Sequence, residues 1–204
     1  MGKTSKVVVC GMKGVGKTSI LQQVIYGQLP DKWALFPTIE DIYVANIETD
    51  RGTREKIRFY DTAGIEKSQT STANGTTNQQ LPRHYLALAD GYIFVYDVEN
   101  SESLEVLISL KKDIDKNKDK KEITAIVIGN KTTEENSIDN ENKVNKAVTW
   151  CTKEKVRHFT GSSKQRTSLY EAFIYLTSKL NPPPSKSTFP QLSMGRKIST
   201  RETN

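Results

Sequence analysis

The stretch Lys6–Thr18, which reads KVVVCGMKGVGKT, decides how the rest of the chain is interpreted. It contains three consecutive valines and ends this apolar run at Cys10, a composition typical of a strand buried on both faces. A glycine-rich segment from Gly11 to Lys17 follows, and the helical pattern of residues 18–26 begins directly after it. The stretch therefore predicts a strand, a tight turn and a helix in immediate succession.

The eight residues GMKGVGKT, from Gly11 to Thr18, match the pattern G-x-x-x-x-G-K-[ST] of a phosphate-binding loop. Glycines allow successive backbone N–H groups to turn inward around a phosphate, and the positive end of the following helix adds to the attraction. Lys17 would reach the β- and γ-phosphates, and the Thr18 hydroxyl would bind Mg²⁺. We therefore predict a nucleotide-binding loop, although this motif alone does not separate kinases, ATPases and GTPases.

Short β-branched runs alternate with helical patterns along most of the chain, which predicts an α/β fold. The predicted strands are Lys6–Cys10, Asp41–Glu48, Lys56–Tyr60, Gly91–Asp97, Ile123–Gly129 and Val156–Thr160. The predicted helices are Thr18–Tyr26, Leu81–Leu88, Ser101–Lys118, Asn142–Lys153 and Ser168–Leu180. Because the turn at Asp50–Gly52 marks one antiparallel hairpin, we expect a mostly parallel sheet with one antiparallel strand and helices on both faces.

The chain divides into one domain and a tail. Residues 1–180 carry the alternating pattern and form the predicted nucleotide-binding domain. Three consecutive prolines, followed by Ser, Lys and Arg, predict a disordered tail over residues 181–204. The segment 68–80 is Ser, Thr, Asn, Gln and Gly apart from one alanine, which predicts a functional or disordered loop. Residues 132–142 form a second polar stretch.

The composition, with 35% hydrophobic and 26% charged residues, is that of a water-soluble protein. The formal net charge is +6, but the richest basic run, Lys111–Lys121, also contains three aspartates. We therefore predict a solvated helix face there and no nucleic-acid partner. Cys10 and Cys151 lie far apart in the sequence, which predicts buried, reduced thiols and a cytoplasmic location.

The sequence does not predict membrane attachment. No apolar stretch approaches the length of a membrane span or of a signal-peptide core. The chain begins Met-Gly, but Lys6 stands where the myristoylation pattern has Ser or Thr. The last residues, Arg201–Asn204, contain no cysteine for prenylation, so no lipid anchor is expected.

Two segments beyond the phosphate-binding loop resemble the switch segments of Ras-like small GTPases. Leu35–Tyr43 (LFPTIEDIY) precedes the second predicted strand, and Asp61–Gly64 (DTAG) follows the third. The resemblance implies the P-loop small-GTPase fold, in which Thr38 contacts Mg²⁺ and the γ-phosphate. It also implies that Asp61 holds Mg²⁺ through water and that the N–H of Gly64 meets the γ-phosphate.

Two later segments resemble the base-binding loops of the same family, which implies GTP or GDP with Mg²⁺ as the ligand. Asn130 would link the base to the loops, and the aliphatic stem of Lys131 would lie over the purine. In the segment Thr160–Lys164 (TGSSK), the N–H of Ser163 would face the guanine oxygen. The candidate cofactor-binding residues are Gly11, Lys13, Gly14, Val15, Gly16, Lys17, Thr18, Ser19, Thr38, Asp61, Gly64, Asn130, Lys131, Thr133, Ser162, Ser163 and Lys164. The candidate metal ligands are Thr18, Thr38 and Asp61.

Three positions depart from the Ras pattern. Thr133 stands where the family has the aspartate that reads guanine, and a hydroxyl offers one neutral hydrogen bond instead of two charge-assisted ones. Ile65 replaces the glutamine that orients the attacking water. Lys13 occupies a position that is usually glycine, where a side chain obstructs the water and an incoming arginine finger, or alternatively places its own charge on the γ-phosphate. We expect very weak hydrolysis and infer guanine preference from the family alone.

The side chain at Lys13, the lack of the glutamine at Ile65 and the lack of a C-terminal prenylation cysteine together resemble the kappaB-Ras branch, the NF-kappa-B inhibitor-interacting Ras-like proteins. The matching stretches are KVVVCG at 6–11, ETDRG at 48–52, LPRHY at 81–85, LKKDIDKNKDKKE at 110–122 and SKSTFP at 185–190. The resemblance implies a cytoplasmic switch that binds inhibitory kappa-B proteins and restrains NF-kappa-B signalling. The candidate partner-binding residues are Phe36, Pro37, Ile39, Glu40, Asp41 and Tyr43.

Two alternatives stand beside this hypothesis. The first is a non-switching binding module or scaffold that holds GTP or GDP structurally, and the residues Lys13, Ile65 and Thr133 favour it more than an ordinary Ras sequence would. The second is a phosphotransferring P-loop enzyme, for which the sequence offers no catalytic base or lid arginine. Dependence of partner affinity on the nucleotide separates the switch from the binding module.

Overall fold

The computed structural model describes residues 4–29, 38–66, 81–117, 123–133 and 137–183. The predicted loop at 68–80 and residues 184–204 of the predicted tail lie outside these ranges. The strands are β1 (Ser5–Gly11), β2 (Glu40–Glu48), β3 (Arg54–Thr62), β4 (Gly91–Asp97), β5 (Thr124–Asn130) and β6 (Arg157–Gly161). The α-helices are α1 (Lys17–Tyr26), α2 (Arg83–Leu88), α3 (Ser101–Asn117), α4 (Ile138–Lys153) and α5 (Tyr170–Leu180).

The six strands form one sheet in the order β2-β3-β1-β4-β5-β6. β2 pairs antiparallel with β3, from Glu40 opposite Thr62 to Glu48 opposite Arg54, and the other four pairings are parallel. The predicted architecture, a mostly parallel sheet with one antiparallel hairpin strand, is therefore confirmed.

Each face of the sheet carries its own hydrophobic cluster, which explains the continuous apolar runs of the central strands. On one face, Ile20 and Leu21 of α1 and Phe173 of α5 pack against β1, β3, β4 and β5. On the other face, the buried apolar side chains of α2, α3 and α4 pack on the same strands, as Leu107 and Ala147 do. The helices therefore cover both faces, as predicted.

Parallel pairing brings the carboxyl ends of five strands to one edge of the sheet. Gly11 at the end of β1 lies opposite Val95, and Asn130 at the end of β5 lies opposite both Asp97 and Gly161. In open α/β sheets ligands bind beyond such ends. This register assembles the candidate site from segments that are far apart in the sequence.

Helix α4 begins at Ile138, four residues before its predicted start, so the polar stretch at 132–142 is only partly a loop. The Ser137 hydroxyl accepts a hydrogen bond of 3.1 Å from the N–H of Asn140 and caps the helix. Asp139 and Glu141 in the first turn face the positive helix end. The first turn of α4 is mostly polar, which is typical of a helix start. The apolar spacing used to predict helices therefore did not detect this turn.

Lys111 contradicts the prediction of a solvated helix face, because its side chain is buried. Its ammonium group donates to Asp115 at 2.5 Å and to Glu154, beyond the end of α4, at 2.9 Å. The pair of carboxylates offsets the cost of removing the charge from water. Cys10 and Cys151 are free and buried, which confirms the prediction for both thiols.

The burial of His158, whose Nε2 lies 3.0 Å from the Tyr96 hydroxyl, makes stability depend on pH. Burial lowers the pKa of His158 from 6.5 to about 4. The contribution is therefore fully present above about pH 6.5 and is lost as the pH falls towards 4, because the unfolded chain binds the proton first. We expect His158→Gln to reduce the fall in unfolding free energy across this window by about 1–2 kcal/mol, since solvent screens part of the full shift.

Urea unfolding of both proteins at several pH values measures this difference. The exposed His84 provides the matched control, because His84→Gln removes the other histidine of the chain. A His158→Gln variant that keeps the pH dependence of the parent protein would contradict the assignment.

Candidate nucleotide-binding site

The phosphate-binding loop connects β1 to the first residue of α1, Lys17. The buried ammonium group of Lys17 donates to the carbonyl oxygens of Met12 at 3.2 Å and Gly11 at 3.4 Å, so the side chain lies back across the loop. Burial lowers the pKa of Lys17, and the nearby carboxylate of Asp61 opposes that shift. A buried cation at this position can attract the phosphates of a nucleotide.

The three candidate metal ligands lie together beside this lysine. The Thr18 hydroxyl donates to Oδ2 of Asp61 at 2.6 Å, and it lies 2.9 Å from the hydroxyl of Thr38. Residues 18, 38 and 61 come from the first turn of α1, the segment before β2 and the end of β3. The structure thus gathers the oxygen atoms that the sequence assigned to Mg²⁺.

Asp61 provides a test of whether a cation fits this site. The residue is fully buried, and among the described residues its Oδ1 has no hydrogen-bond partner. Burial raises the pKa of Asp61, although the Thr18 hydrogen bond and Lys17 act in the opposite direction. A buried carboxylate oxygen without a donor fits a hard cation, which prefers oxygen ligands. The residues present are therefore compatible with Mg²⁺.

A cavity of about 380 Å³ opens in front of these side chains. Its lining combines the phosphate-binding loop with both candidate switch segments. The lining residues are Lys13, Gly14, Gly16, Lys17, Thr18, Ser19, Thr38, Thr62, Ala63, Gly64 and Glu66. Lys17 and two of the three predicted metal ligands, Thr18 and Thr38, therefore line one cavity.

The second switch segment is joined to the phosphate-binding loop by its backbone. The N–H of Lys13 donates to the Ile65 carbonyl at 3.0 Å, and the N–H of Ile65 donates to the Gly11 carbonyl at 3.1 Å. The side chain of Ile65 packs against the hydrophobic cluster under α2 and α3. The Lys13 ammonium pairs with Glu66 at 2.5 Å at the edge of the cavity. Sequence reasoning missed Glu66, since no motif marked it.

Asn130 joins the phosphate-binding loop to the loop after β6. Its amide NH₂ donates to the Val15 carbonyl at 3.0 Å, and its amide oxygen accepts from the N–H of Ser163 at 3.0 Å. The N–H of Lys131 donates to the Gly161 carbonyl at 2.8 Å. The loop after β6 is also held on α1, because Gln23 donates to the Lys164 carbonyl at 3.3 Å. These bonds bring the two candidate base-binding loops together.

Thr133 has a partner that sequence reasoning missed. Its N–H and its hydroxyl both donate to Oε1 of Glu99, at 2.8 and 2.5 Å. Glu99 follows β4 and lies 34 positions earlier in the chain. A second cavity, of about 230 Å³, is lined by both residues, by Lys131 and Thr160, and by the first turns of α4. Only the pairing of β4 with β5 brings Glu99 to this loop, so no local signal could have identified it.

The candidate partner surface lies on β2, the edge strand of the sheet. Glu40 and Asp41 are exposed, and Ile39 and Ile42 expose 88% and 53% of their surface. The predicted Tyr43 is instead half-buried, and its hydroxyl accepts from Gln22 at 3.3 Å. An exposed apolar edge strand is an attachment point for another chain. The predicted residues Phe36 and Pro37 lie outside the described residues.

Fold and site together define a P-loop nucleotide-binding protein of the small-GTPase class. The sequence profile of the Ras family matches residues 6–182. The chain therefore belongs to the Ras family, whose members bind guanine nucleotides, usually with Mg²⁺.

The curated relatives point to one branch of this family. The chain is 46% identical over 193 residues to the NF-kappa-B inhibitor-interacting Ras-like protein of Drosophila melanogaster, covering 94% of this chain and 92% of the fly protein. It is 46% and 44% identical over 192 residues to the human NF-kappa-B inhibitor-interacting Ras-like proteins 2 and 1, covering 93% of each chain. The resemblance to this branch is thereby confirmed. None of the helices in the described residues is long and apolar enough to cross a membrane.

Two glycines of the phosphate-binding loop allow a matched test of the Asn130 bridge. Both have positive φ, 91° at Gly16 and 82° at Gly14. A Cβ at Gly16 would lie 2.4 Å from Nδ2 of Asn130, whereas a Cβ at Gly14 would meet nothing within 4 Å. We expect Gly16→Ala to lower the unfolding free energy of the nucleotide-free protein by about 2–4 kcal/mol and Gly14→Ala by about 1 kcal/mol. Urea unfolding measures both; equal losses would refute the role of the bridge.

Proposed function

We propose that this chain is a cytoplasmic Ras-like guanine-nucleotide switch that hydrolyses GTP very slowly and regulates NF-kappa-B signalling by binding inhibitory kappa-B proteins. The contact between Thr18, Thr38 and Asp61 carries the proposal. It links the phosphate-binding loop to the segment before β2 through three side chains that fit one cation. A γ-phosphate and Mg²⁺ held there would fix Thr38 and thereby the start of the partner surface.

The coupling from nucleotide to partner surface is short. Thr38 precedes the exposed Ile39 by one residue, and the carbonyl of Ile39 accepts a hydrogen bond of 3.1 Å from the N–H of Ala63. Both switch segments therefore meet at the beginning of β2. A ligand that displaces Thr38 or Gly64 would disturb this junction, which is the kind of bistable element that a nucleotide switch requires.

The nature of the partner is supported by the relatives and by the edge strand. The proteins with 43–46% identity are named for interaction with NF-kappa-B inhibitors. On this chain Ile42 and Val44 expose 53% and 46% of their surface along β2, whose outer edge has no neighbouring strand among the described residues. An extended segment of an inhibitory kappa-B protein could add to this edge through backbone hydrogen bonds.

A second candidate function is a binding module whose nucleotide is structural. The observation that favours it is the pair of backbone bonds between the phosphate-binding loop and Ile65, together with the Lys13–Glu66 ion pair. These contacts hold the second switch segment against the loop through groups of the protein itself. A module of this kind would bind its partner equally well with GDP and with GTP.

The affinity for an inhibitory kappa-B protein in the two nucleotide states separates these functions. We expect the protein loaded with a non-hydrolysable GTP analogue and Mg²⁺ to bind at least about tenfold more tightly than the GDP form, because only the γ-phosphate reaches Thr38 and Gly64. Titration calorimetry on both forms measures the ratio, and equal affinities would favour the binding module.

In the same assay Ile42→Lys should weaken partner binding about tenfold or more, because it places a charge in the contact. Its matched control is Val148→Lys on α4, at a residue that is 41% exposed and lies away from β2. Loss of partner binding in both variants would contradict the proposed surface.

The proposed slow hydrolysis follows from two side chains. Ile65 cannot hydrogen-bond an attacking water, and its side chain packs in the core cluster. Lys13 and Glu66 together border the cavity in which that water would stand. We expect single-turnover GTP cleavage at or below about 10⁻⁴ s⁻¹, slower than the roughly 3–5 × 10⁻⁴ s⁻¹ of Ras without an activating protein, and we expect Lys13→Gly combined with Ile65→Gln to accelerate it about tenfold or more.

Quenched reactions with radiolabelled GTP measure both rates. A Lys17→Ala protein, purified in parallel, gives the background of contaminating phosphatases because the phosphate-binding lysine is removed. Rapid cleavage by the unaltered protein above that background would refute slow hydrolysis.

A further inference from the structure

The carboxylate that Ras-like chains carry at position 133 is missing here, but a different carboxylate stands at the same loop. Oε1 of Glu99 accepts hydrogen bonds from both the N–H and the hydroxyl of Thr133, at 2.8 and 2.5 Å. Two donors from one residue hold a single oxygen of Glu99. The loop after β5 is thus bound to an acidic side chain supplied by the end of the neighbouring strand.

The backbone of Glu99 is held from two directions. Its N–H donates to Oδ1 of Asp97 at 2.9 Å in the turn after β4. Its carbonyl accepts from the ammonium group of Lys143 on α4 at 3.1 Å. Because these bonds fix the start of the side chain and Thr133 fixes its end, the carboxylate has a defined position in the second cavity.

A guanine base requires an acceptor of this kind. Its edge presents two adjacent donors, the ring N1–H and the 2-amino group, and a carboxylate accepts both with charge-assisted hydrogen bonds. The Thr133 hydroxyl donates its only proton to Glu99, and a hydroxyl carries no charge. Thr133 therefore holds the acidic side chain instead of reading the base itself.

We propose that Glu99 is the guanine-specificity residue of this protein, with Oε2, the carboxylate oxygen that Thr133 does not bind, accepting hydrogen bonds from N1–H and the 2-amino group of the base. The inference rests on the proposed guanine-nucleotide function and names the residue that gives that function its base preference. Glu99 shares its cavity with Lys131 and Thr160, which belong to the two candidate base-binding loops. Relative to the Ras pattern, the acidic side chain would come from the end of β4 instead of the end of β5. It would still lie beside the loop after β5.

The charge state of Glu99 suits this role. The hydrogen bond from the Thr133 hydroxyl lowers the pKa of the Glu99 carboxyl, the Thr132 side chain adds to this effect, and the nearby charge of Lys164 contributes further. The carboxylate is therefore ionised at neutral pH. An ionised acceptor discriminates against adenine, which presents an acceptor at N1 and no 2-amino group.

The test compares diphosphates whose bases differ from guanine at the 2-position that Glu99 would contact, together with ADP, whose base also differs at C6. Titration calorimetry with Mg²⁺ gives the dissociation constants of GDP, IDP, XDP and ADP for the unaltered protein and for Glu99→Gln. Inosine lacks the 2-amino group, and xanthine carries a carbonyl oxygen in its place. We expect the unaltered protein to prefer GDP over IDP by about 10- to 100-fold.

In Glu99→Gln the preference for GDP over IDP should fall to within about threefold, because the charged acceptor is lost. Binding of XDP should improve relative to GDP, since the amide NH₂ can donate to the xanthine carbonyl. A double variant, Glu99→Gln with Thr133→Asp, returns a carboxylate to the loop and should regain at least tenfold preference for GDP. Thermal unfolding of each variant checks that the fold is retained.

Glu105→Gln is the matched control, because it removes one negative charge from an exposed position of α3 that does not line this cavity. Its GDP to IDP ratio should equal that of the unaltered protein. Equal weakening of all four ligands in Glu99→Gln would mean that Glu99 only supports the loop, and the proposal would be wrong while the guanine-nucleotide function stood. Absent or base-indifferent binding by the unaltered protein would instead overturn that function.

Discussion

The buried amide of Asn130 is the interaction on which the arrangement of the site depends. It binds the phosphate-binding loop through the Val15 carbonyl and the loop after β6 through the N–H of Ser163, both at 3.0 Å. Each of these loops follows a different strand, and the sheet brings their starting points only to the same edge. The amide has a donor on one side and an acceptor on the other. Asn130 can therefore fix the distance between the phosphate-binding loop and the candidate base-binding loop after β6.

The buried charged groups at the carboxyl edge of the sheet, Asp61 and Lys17, are arranged to bind a ligand and not to stabilise the protein alone. Within the part of the chain that the structure describes, Asp61 keeps one buried oxygen without a partner, and the hydrogen bonds of the buried Lys17 ammonium group go to carbonyl oxygens alone. Buried groups of this kind cost free energy unless a counter-charge satisfies them. Phosphates beside Lys17 and a cation beside Asp61 would satisfy both at once. A bound Mg²⁺–nucleotide would therefore stabilise the fold as well as signal through it.

The sequence was sufficient for features that depend on local patterns. Strand runs, the glycine-rich turn and the hairpin were predicted because periodicity and turn chemistry act over a few residues. The start of α4 was not predicted, because the capped first turn of this helix is polar and the apolar spacing begins only in the second turn. Lys111 was misassigned because its carboxylate partner Glu154 lies 43 positions away. Glu99 was missed for the same reason. The register of β4 against β5 places Glu99 beside Thr133, and that register cannot be inferred from the spacing of residues in the sequence.

The three departures from the Ras pattern would act on different parts of a bound nucleotide. Lys13 lines the cavity beside the phosphate-binding loop and Ile65 is hydrogen-bonded to that loop, so both would hinder water attacking a γ-phosphate there. Thr133 belongs to a candidate base-binding loop and is joined to the carboxylate of Glu99. If Glu99 restores base recognition, the chain would keep its selectivity for guanine nucleotides and would lose the side chains that promote GTP hydrolysis. Such a combination would lengthen the lifetime of the GTP state, because occupancy would then be set by nucleotide release and not by cleavage. A regulator built in this way would report the supply of GTP and the presence of its partner more than the action of a hydrolysis-activating protein.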